Sequence, residues 1–471
     1  MLRPRLWLCA SAVLLGACSS TAPTTDAPSS TDTVPVTTGA APTTAPPTTA
    51  TTTTAMTTTT TAASTTTTVP TLDTGWLLDY LDAPSGAATG SPIRIGFVNQ
   101  SSYSPESDAA AEIAVSILNT EASGAAGRPI ELVPCPVETE EQAAACGSSL
   151  ASDPTVSLII VGAFQIGNAA FYGAAGSAKP ILVATGLTAT DYLSTTSHTF
   201  TVGGAGVVAG LASFVSTGLT PAPAKVGVLY LDSPAGQASV DLFIRPILEA
   251  AGVPATFVPV AVDGDGEAAA AAIESAGAAD ADTMLLSVNV GNCIAAFDAF
   301  DQLGIEPRVV AVGPCNSTAV SAHLAAAGSD GALPDGWYFG SNGYSVFIPN
   351  RDAGVDTYNA IMDRAAEEWA TEVDRTGLAP LTVATIFTAA KLMNQLGADA
   401  ETPTALESAV VGFTGPMMFQ AGPIACGQTT IVGVPLPALC ASQMGIQQYV
   451  NGEWTSVTDG NNGRAVDVTA I

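Results

Sequence analysis

Short apolar runs alternate along this chain with stretches whose apolar residues return every three or four positions. IRIGFV (93–98), VSLIIV (156–161) and PILVA (180–184) predict buried strands. KVGVLYL (225–231), TFVPV (256–260), TMLLSV (283–288) and RVVAV (308–312) predict a second series. Between the strands the period lengthens. Residues 106–119 place Ala110, Ile113, Ala114, Ile117 and Leu118 on one helical face. After Leu231, Val240, Phe243, Ile244, Ile247 and Leu248 do the same, and Gly252 and Pro254 stop that helix. Strands separated by helices imply βαβ units and parallel sheets. Two such series predict an α/β chain with two doubly wound, Rossmann-like lobes. Beyond Tyr344 the pattern turns helical over 354–372, 382–396 and 403–411. MGIQQYVNGEWTSV (444–457) predicts a hairpin turning at Asn451-Gly452.

The first part of the chain has neither period. Residues 18–75 are dominated by Thr, Pro, Ala and Ser, a composition that cannot bury a core and predicts a disordered tether. As a flexible coil, about 50 residues reach on the order of 40 Å. Before it, MLRPRLWLCASAVLLGACSS carries Arg3 and Arg5, then an apolar run too short to span a bilayer. It reads as an export signal over residues 1–17. The LGAC ending resembles the lipobox of bacterial lipoproteins, which implies cleavage before Cys18 and a lipid on its sulfur.

Charge narrows the partners. The 471 residues include 13 basic and 42 acidic side chains, a formal net charge of −29. That balance argues against nucleic acid and against anionic membrane surfaces as binding partners. Membrane attachment is expected only through the lipid.

Of the eight cysteines, Cys9 leaves with the signal and Cys18 takes the lipid. Cys135, Cys146, Cys293, Cys315, Cys426 and Cys440 remain. An even set in an exported chain implies disulfides. Several connectivities are open. Sequential pairing, Cys135–Cys146, Cys293–Cys315 and Cys426–Cys440, is the simplest. With no C-x-x-C and only His198 and His323, no metal site is expected, and no cofactor.

Motifs for chemistry are weak. Gly204-Ala-Gly206-Val-Val-Ala209 matches a dinucleotide fingerprint loosely, away from a first βα turn, and reads better as a tightly packed glycine segment. DGDGE (263–267) with Glu274 has the ligand spacing of a calcium loop, but Ala268 stands where glycine is required, and an acidic helix start explains it better. With no nucleophile elbow, Walker A or coherent triad, an enzyme is not expected.

In this order, three stretches resemble a known family. IRIGFVNQSS…AEIAVSILNTEASGAAGRPIELV resembles its opening strand, helix, turn and next strand. SLIIVGAFQIGNAAFYGAAGSAKPILVATGLTAT resembles its next two strands and ligand loops. KVGVLYLDSPAGQASVDLF resembles the strand–helix that opens its second lobe. The family is the branched-chain amino-acid-binding (Leu/Ile/Val-type) group of ABC-transporter solute-binding proteins, with the type I periplasmic-binding fold. The resemblance spans roughly residues 91–460. It implies three crossings between lobes near Gly203, Tyr344 and Gly412, so that 91–203 with 345–411 form one lobe and 204–344 with 412–462 the other. It also implies hinge closure around a ligand.

The family's amino-acid site is mostly altered. Its carboxylate-holding Ser falls at Ile166, one aromatic at Ala235, a Tyr at or near Val290, and the acid that pairs the ammonium at Cys315; its Thr is kept at Thr188. An ammonium buried without an anion costs several kcal/mol. A disulfide-bonded Cys315 staples the wall of the second lobe, from a loop neighbouring that of Cys293, and holds no charge. The expected wall is therefore neutral: Gln100, Ser102, Tyr103, Phe164, Gln165, Thr185, Gly186, Thr188, Ala235, Asn289, Asn292, Asn316 and Tyr344. Such amides, hydroxyls and aromatics suit a small polar or amphipathic organic solute.

The function expected is that of a monomeric, lipid-anchored, extracytoplasmic solute-binding protein at the outer face of the cytoplasmic membrane. It delivers its solute to an ABC permease. The alternative is a ligand-sensing or surface interaction protein using the same fold with an altered cleft.

Overall fold

The computed structural model describes residues 72–262, 266–279, 281–329, 331–343, 345–348, 352–369, 373–420, 422–457 and 466–471. Cys18, the segment before residue 72, Tyr344 and the acidic pair Asp263 and Asp265 lie outside them.

Five parallel strands form the first sheet: β1 (Ile93–Asn99), β2 (Ile130–Pro136), β3 (Val156–Val161), β4 (Ile181–Val183) and β5 (Ser197–Thr199), in the order β2-β1-β3-β4-β5. β3 is buried along its whole length, as a strand covered on both faces must be. One covering helix, Pro105–Glu121, starts on a proline with Glu106 and Asp108 in its first turn, where acidic groups meet the positive end of the helix dipole. Its apolar face, including Ile113, Ile117 and Leu118, is buried.

The helices Ala353–Trp369, Ala379–Leu396 and Pro403–Gly412 also join this lobe's core. Ala379–Leu396 has fourteen buried residues. Two of its threonines hide their hydroxyls by bonding back one turn, Thr385 to Leu381 O at 2.8 Å and Thr388 to Ala384 O at 2.7 Å. The short helix Gly75–Leu81 docks on the same core. Leu77, Tyr80 and Leu81 are buried, and the Tyr80 hydroxyl pairs with Thr388 Oγ1 at 2.8 Å.

The second sheet contains β6 (Val226–Leu231), β7 (Ala255–Val260), β8 (Thr283–Ser287), β9 (Arg308–Ala311) and β10 (Tyr338–Ser341), all parallel. A two-stranded pair, β11 (Thr430–Ile431) and β12 (Val434–Pro435), stands apart. β13 (Gln443–Val450) then adds antiparallel to β10, and β14 (Glu453–Ser456) antiparallel to β13. β15 (Val466–Asp467) pairs with β13. The order is β14-β13-β10-β9-β8-β6-β7. The hairpin turns at Asn451 and Gly452, both with positive φ.

The helical stretch after β6 is not regular. It runs Pro234–Ser239, widens into a π turn at Val240–Ile244, and resumes at Arg245–Ala250. Pro246 has no N–H for the preceding turn and its ring crowds that turn's carbonyl, which the extra residue relieves. The five apolar residues expected on the inner face are all buried.

The chain leaves the first sheet after Thr199 and enters the second at Val226. It returns between Ser341 and Ala353, and crosses again between Gly412 and Gln443. The last crossing belongs to both cores: Met417, Met418, Phe419, Ile424 and Cys440 pack in the first, while Ile431, Leu436, Leu439 and Ala441 pack in the second. Cys440 N–H donates to Thr199 O, which ties this segment to the edge strand β5.

The cysteines pair sequentially: Cys135–Cys146, Cys293–Cys315 and Cys426–Cys440. The glycine-rich segment 203–213 is a buried helix. A Cβ on Gly206 would meet the Val202 Cβ at 2.7 Å, so these glycines serve close packing.

Candidate ligand-binding cleft

In an open α/β sheet the strand order reverses at one point, and the loops leaving the carboxyl ends there diverge and leave a crevice. Both sheets have such a point. In the first it lies between β1 and β3, and in the second between β6 and β8. The loops concerned are 100–104 and 162–167 in the first lobe, and 232–233 and 288–289 in the second.

The first pair of loops is laced by amides. Asn99 Oδ1 accepts the Ala163 N–H at 3.1 Å and Asn99 Nδ2 donates to Ser104 O at 2.8 Å. Gln100 N–H donates to Ala163 O, and Gln100 Oε1 accepts the Gln165 N–H at 3.0 Å. Gly162 permits this approach, since a Cβ there would stand 2.9 Å from Asn99 Oδ1. Gln100 Nε2 reaches Ser102 Oγ at 3.3 Å. Ser102 gives both its N–H and its hydroxyl to Glu138. The Tyr103 hydroxyl is pushed up to about 12 by burial, with the Gln165 side chain bonding to it and Glu106 nearby. Gln100, Ser102, Tyr103 and Gln165 thus form one connected group. Phe164 is different: it is buried, meets Phe171 edge-on at 5.5 Å, and is a core residue.

The loop after β4 carries Thr185, Gly186 and Thr188. It is organised by Asp191, a carboxylate only 1% exposed. Asp191 Oδ2 accepts the N–H groups of Leu187 (2.9 Å) and Thr188 (2.8 Å) and the Thr188 hydroxyl (3.1 Å). Its Oδ1 accepts Asn168 Nδ2 at 2.9 Å and the Tyr172 hydroxyl at 2.8 Å. Burial raises the Asp191 carboxyl above the ordinary range, against the pull of these bonds. The neighbouring Tyr192 donates its hydroxyl to Gly186 O and accepts the Ala205 N–H at 3.0 Å, joining the loop to the first helix of the second lobe. Thr185 Oγ1 is buried with no partner.

In the second lobe the amides of Asn289 and Asn292 are committed to the backbone. Asn289 caps helix Val290–Leu303 by accepting the Asn292 N–H at 2.9 Å and donates to Val262 O at 2.8 Å. Asn292, buried, donates to Ala261 O at 3.0 Å. Ala235 lies in the first turn of helix Pro234–Ser239. Cys293 does not sit on a loop as expected but in the first turn of the Asn289-capped helix. Cys315 lies in a 3₁₀ turn, Gly313–Asn316, just beyond β9. Both cysteines are fully buried, so their disulfide braces the wall from behind. Asn316 is buried in the same turn.

Asn99, Glu106, Asp191 and Tyr192 escape the sequence reading. Only Asp191 leaves a trace, three residues after Thr188 at a helix start.

Two other features lie elsewhere. A cavity of about 390 Å³, lined by Lys179, Pro180, Thr195, Thr404 and Glu407 among others, opens at the amino ends of β4 and β5, away from the crevice. His198, Cys426 and Cys440 bring a ring nitrogen and two sulfurs within 4.8 Å of one another, but the sulfurs are joined in a disulfide.

Residues 92–428 match the family model described as "Periplasmic binding protein". No curated protein matches the sequence. Among solved structures, the leucine binding protein LivK of Thermotoga maritima is similar at 13% identity and a TM-score of 0.59, covering 80% of this chain and 100% of that one. A fatty acid ABC transporter substrate-binding protein of Thermomonospora curvata is similar at 13% identity and TM-score 0.61, with 82% and 95% covered. A solute binding protein of an ABC transporter from Rhodopseudomonas palustris, in complex with 3,4-dihydroxy benzoic acid, is similar at 17% identity and TM-score 0.61, with 80% and 98% covered.

Proposed function

The chain belongs to the periplasmic binding protein family, and on that premise we propose that it captures a small amphipathic organic solute between its lobes and delivers it to an ABC permease. The observation that carries this reading is the paired topology: in each lobe the strand order reverses at one point, where loops leave the carboxyl ends of parallel strands.

The solute class follows from what stands in the loops. Where the resemblance places the family's carboxylate-holding Ser and the acid that pairs the ammonium, this chain has Ile166 and the disulfide-bonded Cys315, and Ala235 and Val290 stand at or near the places of an aromatic and a Tyr. Ile166 is 41% exposed, and Val262, beyond the end of β7, is 51% exposed. Apolar surface at the ends of strands in both lobes is covered when a solute with an apolar body is enclosed. The amides of Gln100 and Gln165 and the hydroxyls of Tyr103 and Thr185 supply neutral hydrogen bonds for a polar end. Two of the similar proteins carry solutes of this range in their names or complexes, a fatty acid in one case and 3,4-dihydroxy benzoic acid in the other, while a third is a leucine binding protein.

The rest of the reading concerns location. A lipid on Cys18, followed by the Thr/Pro-rich segment, holds the two lobes off the outer face of the cytoplasmic membrane. Cys18→Ala is expected to move the protein from the membrane fraction to the soluble exported fraction.

The test of capture is a thermal-shift screen of the exported chain with its disulfides intact. The panel is leucine, isoleucine, valine, short amides, fatty acids and aromatic acids. Ligand that binds only the native state raises the melting temperature by mass action. Shifts with fatty or aromatic acids and none with leucine are expected. A leucine or valine shift overturns the solute class. A panel without any shift overturns capture and favours a sensing or surface interaction role.

A further inference from the structure

Apart from the three crossings, the lobes also touch through loops that belong to neither hinge strand nor crossing segment. Thr318 opens helix Thr318–Ala326 of the second lobe. Facing it is the loop 373–378, which joins two helices of the first lobe. Thr318 Oγ1 donates to Asp374 Oδ1 at 3.0 Å, and Thr318 N–H donates to Thr376 Oγ1 at 3.3 Å. The two hydroxyl oxygens are also 3.3 Å apart.

Each half of this contact is held rigidly by its own lobe. On the first-lobe side, Asp374 Oδ1 already accepts the Thr376 N–H at 2.8 Å and the Thr376 hydroxyl at 2.6 Å. Glu106 Oε1 accepts the Leu378 N–H at 3.1 Å, and the Tyr358 hydroxyl donates to Arg375 O at 2.7 Å. On the second-lobe side, Thr318 follows by three residues the disulfide-bonded Cys315. The bonds between the halves are few and part-buried, and water replaces them at small cost when the lobes part. Rigid halves joined by few bonds make a joint that is either made or broken.

We propose that Thr318, with Asp374 and Thr376, is a clasp between the lobes that sets how much of the protein is closed, and through that how firmly a solute is retained. The clasp rests on the two-lobe capture reading. Its bonds can form only when the two loops meet, and opening about the three crossings separates them. Loss of one charge-assisted bond shifts such an equilibrium about tenfold.

The test uses the full exported chain without added solute, so that it reads closure directly. Small-angle scattering gives the lobe separation, and hydrogen exchange gives local protection. Thr318→Val keeps side-chain shape and leaves the Asp374–Thr376 turn untouched. It is expected to enlarge the radius of gyration and to speed exchange in loop 373–378, on the opposite lobe, about tenfold. Thr318→Ser keeps the hydroxyl and is expected to match the parent. Asp374→Asn is expected to fall between them. The proposal is overturned if Thr318→Val changes exchange only within its own helix and the scattering stays the same. A solute screen without shifts, combined with clasp-dependent closure, removes capture and leaves the clasp. A solute screen with shifts, combined with clasp-independent closure, does the reverse.

Discussion

The loop after β4 and the turn after β9 occupy equivalent places in the two lobes and are held by opposite chemistry. In the first lobe a buried carboxylate, Asp191, gathers five donors from the helix Asn168–Ala175 and its own loop. In the second, a disulfide ties the turn at Cys315 to the head of a helix at Cys293, and the amide of Asn289 caps that helix. A carboxylate can hold several backbone groups at once, but it bears the cost of burial and responds to protons. A disulfide is indifferent to protons and acts mainly by limiting the unfolded chain. The loop after β4 is thus expected to be sensitive to pH and the turn after β9 to reduction.

Asp191→Ala is the most severe way to break that comparison. It leaves the N–H groups of Leu187 and Thr188, Asn168 Nδ2 and the Tyr172 hydroxyl without their acceptor. Each buried donor left unsatisfied costs about 1–3 kcal/mol, and several are lost together here. Denaturant unfolding should show it, with exchange rising first at residues 185–193. A loss below about 1 kcal/mol would mean that the loop is held by packing alone.

Next comes the disulfide. Cys293→Ala with Cys315→Ala is expected to cost about 3 kcal/mol, read as a lower melting temperature. In hydrogen exchange the added opening should appear around β8 and β9 and spare β1–β4. The cap is smaller: Asn289→Ala is expected to cost about 1 kcal/mol and to loosen the link to Val262 and Asn292.

The smallest effect sharpens the contrast in pH. Burial raises the Glu106 carboxyl above its ordinary value of 4.5, opposed by bonds from Leu378 and Ser104, with Asp374 adding to the rise. A raised folded value means that the folded protein holds the proton more tightly than the unfolded chain. The penalty on the ionised form is complete above the folded value and is relieved as pH falls through it towards 4.5. Relative to Glu106→Gln, the parent should therefore gain stability as pH is lowered from neutrality. Parallel melting curves of the two proteins across that range would show that Glu106 does not contribute.

The fold was legible because burial repeats locally. Runs such as VSLIIV and RVVAV could be covered only on two faces, and Ile113, Ile117 and Leu118 could share a face only in a helix. The positions of Gln100, Tyr103 and Gln165 followed from the ends of those runs. Their roles did not. Phe164 lies beside Gln165 in sequence, yet the facing Phe171 makes it core. Asn289 and Asn292 look free in a neutral loop, yet one caps a helix and both bond the backbone at 261–262.

What the residues determined by themselves is the alternation of strands and helices, the two series that make two lobes, and the even set of cysteines. These depend on period and composition, which act between near neighbours. Only the tertiary structure decided which carboxylates organise the loops and where the lobes touch. Asp191 draws its donors from Asn168 and Tyr172, and Thr318 meets an aspartate 56 residues away. Hydrogen bonds form between whatever groups packing brings within reach, and that choice is made by the assembled cores.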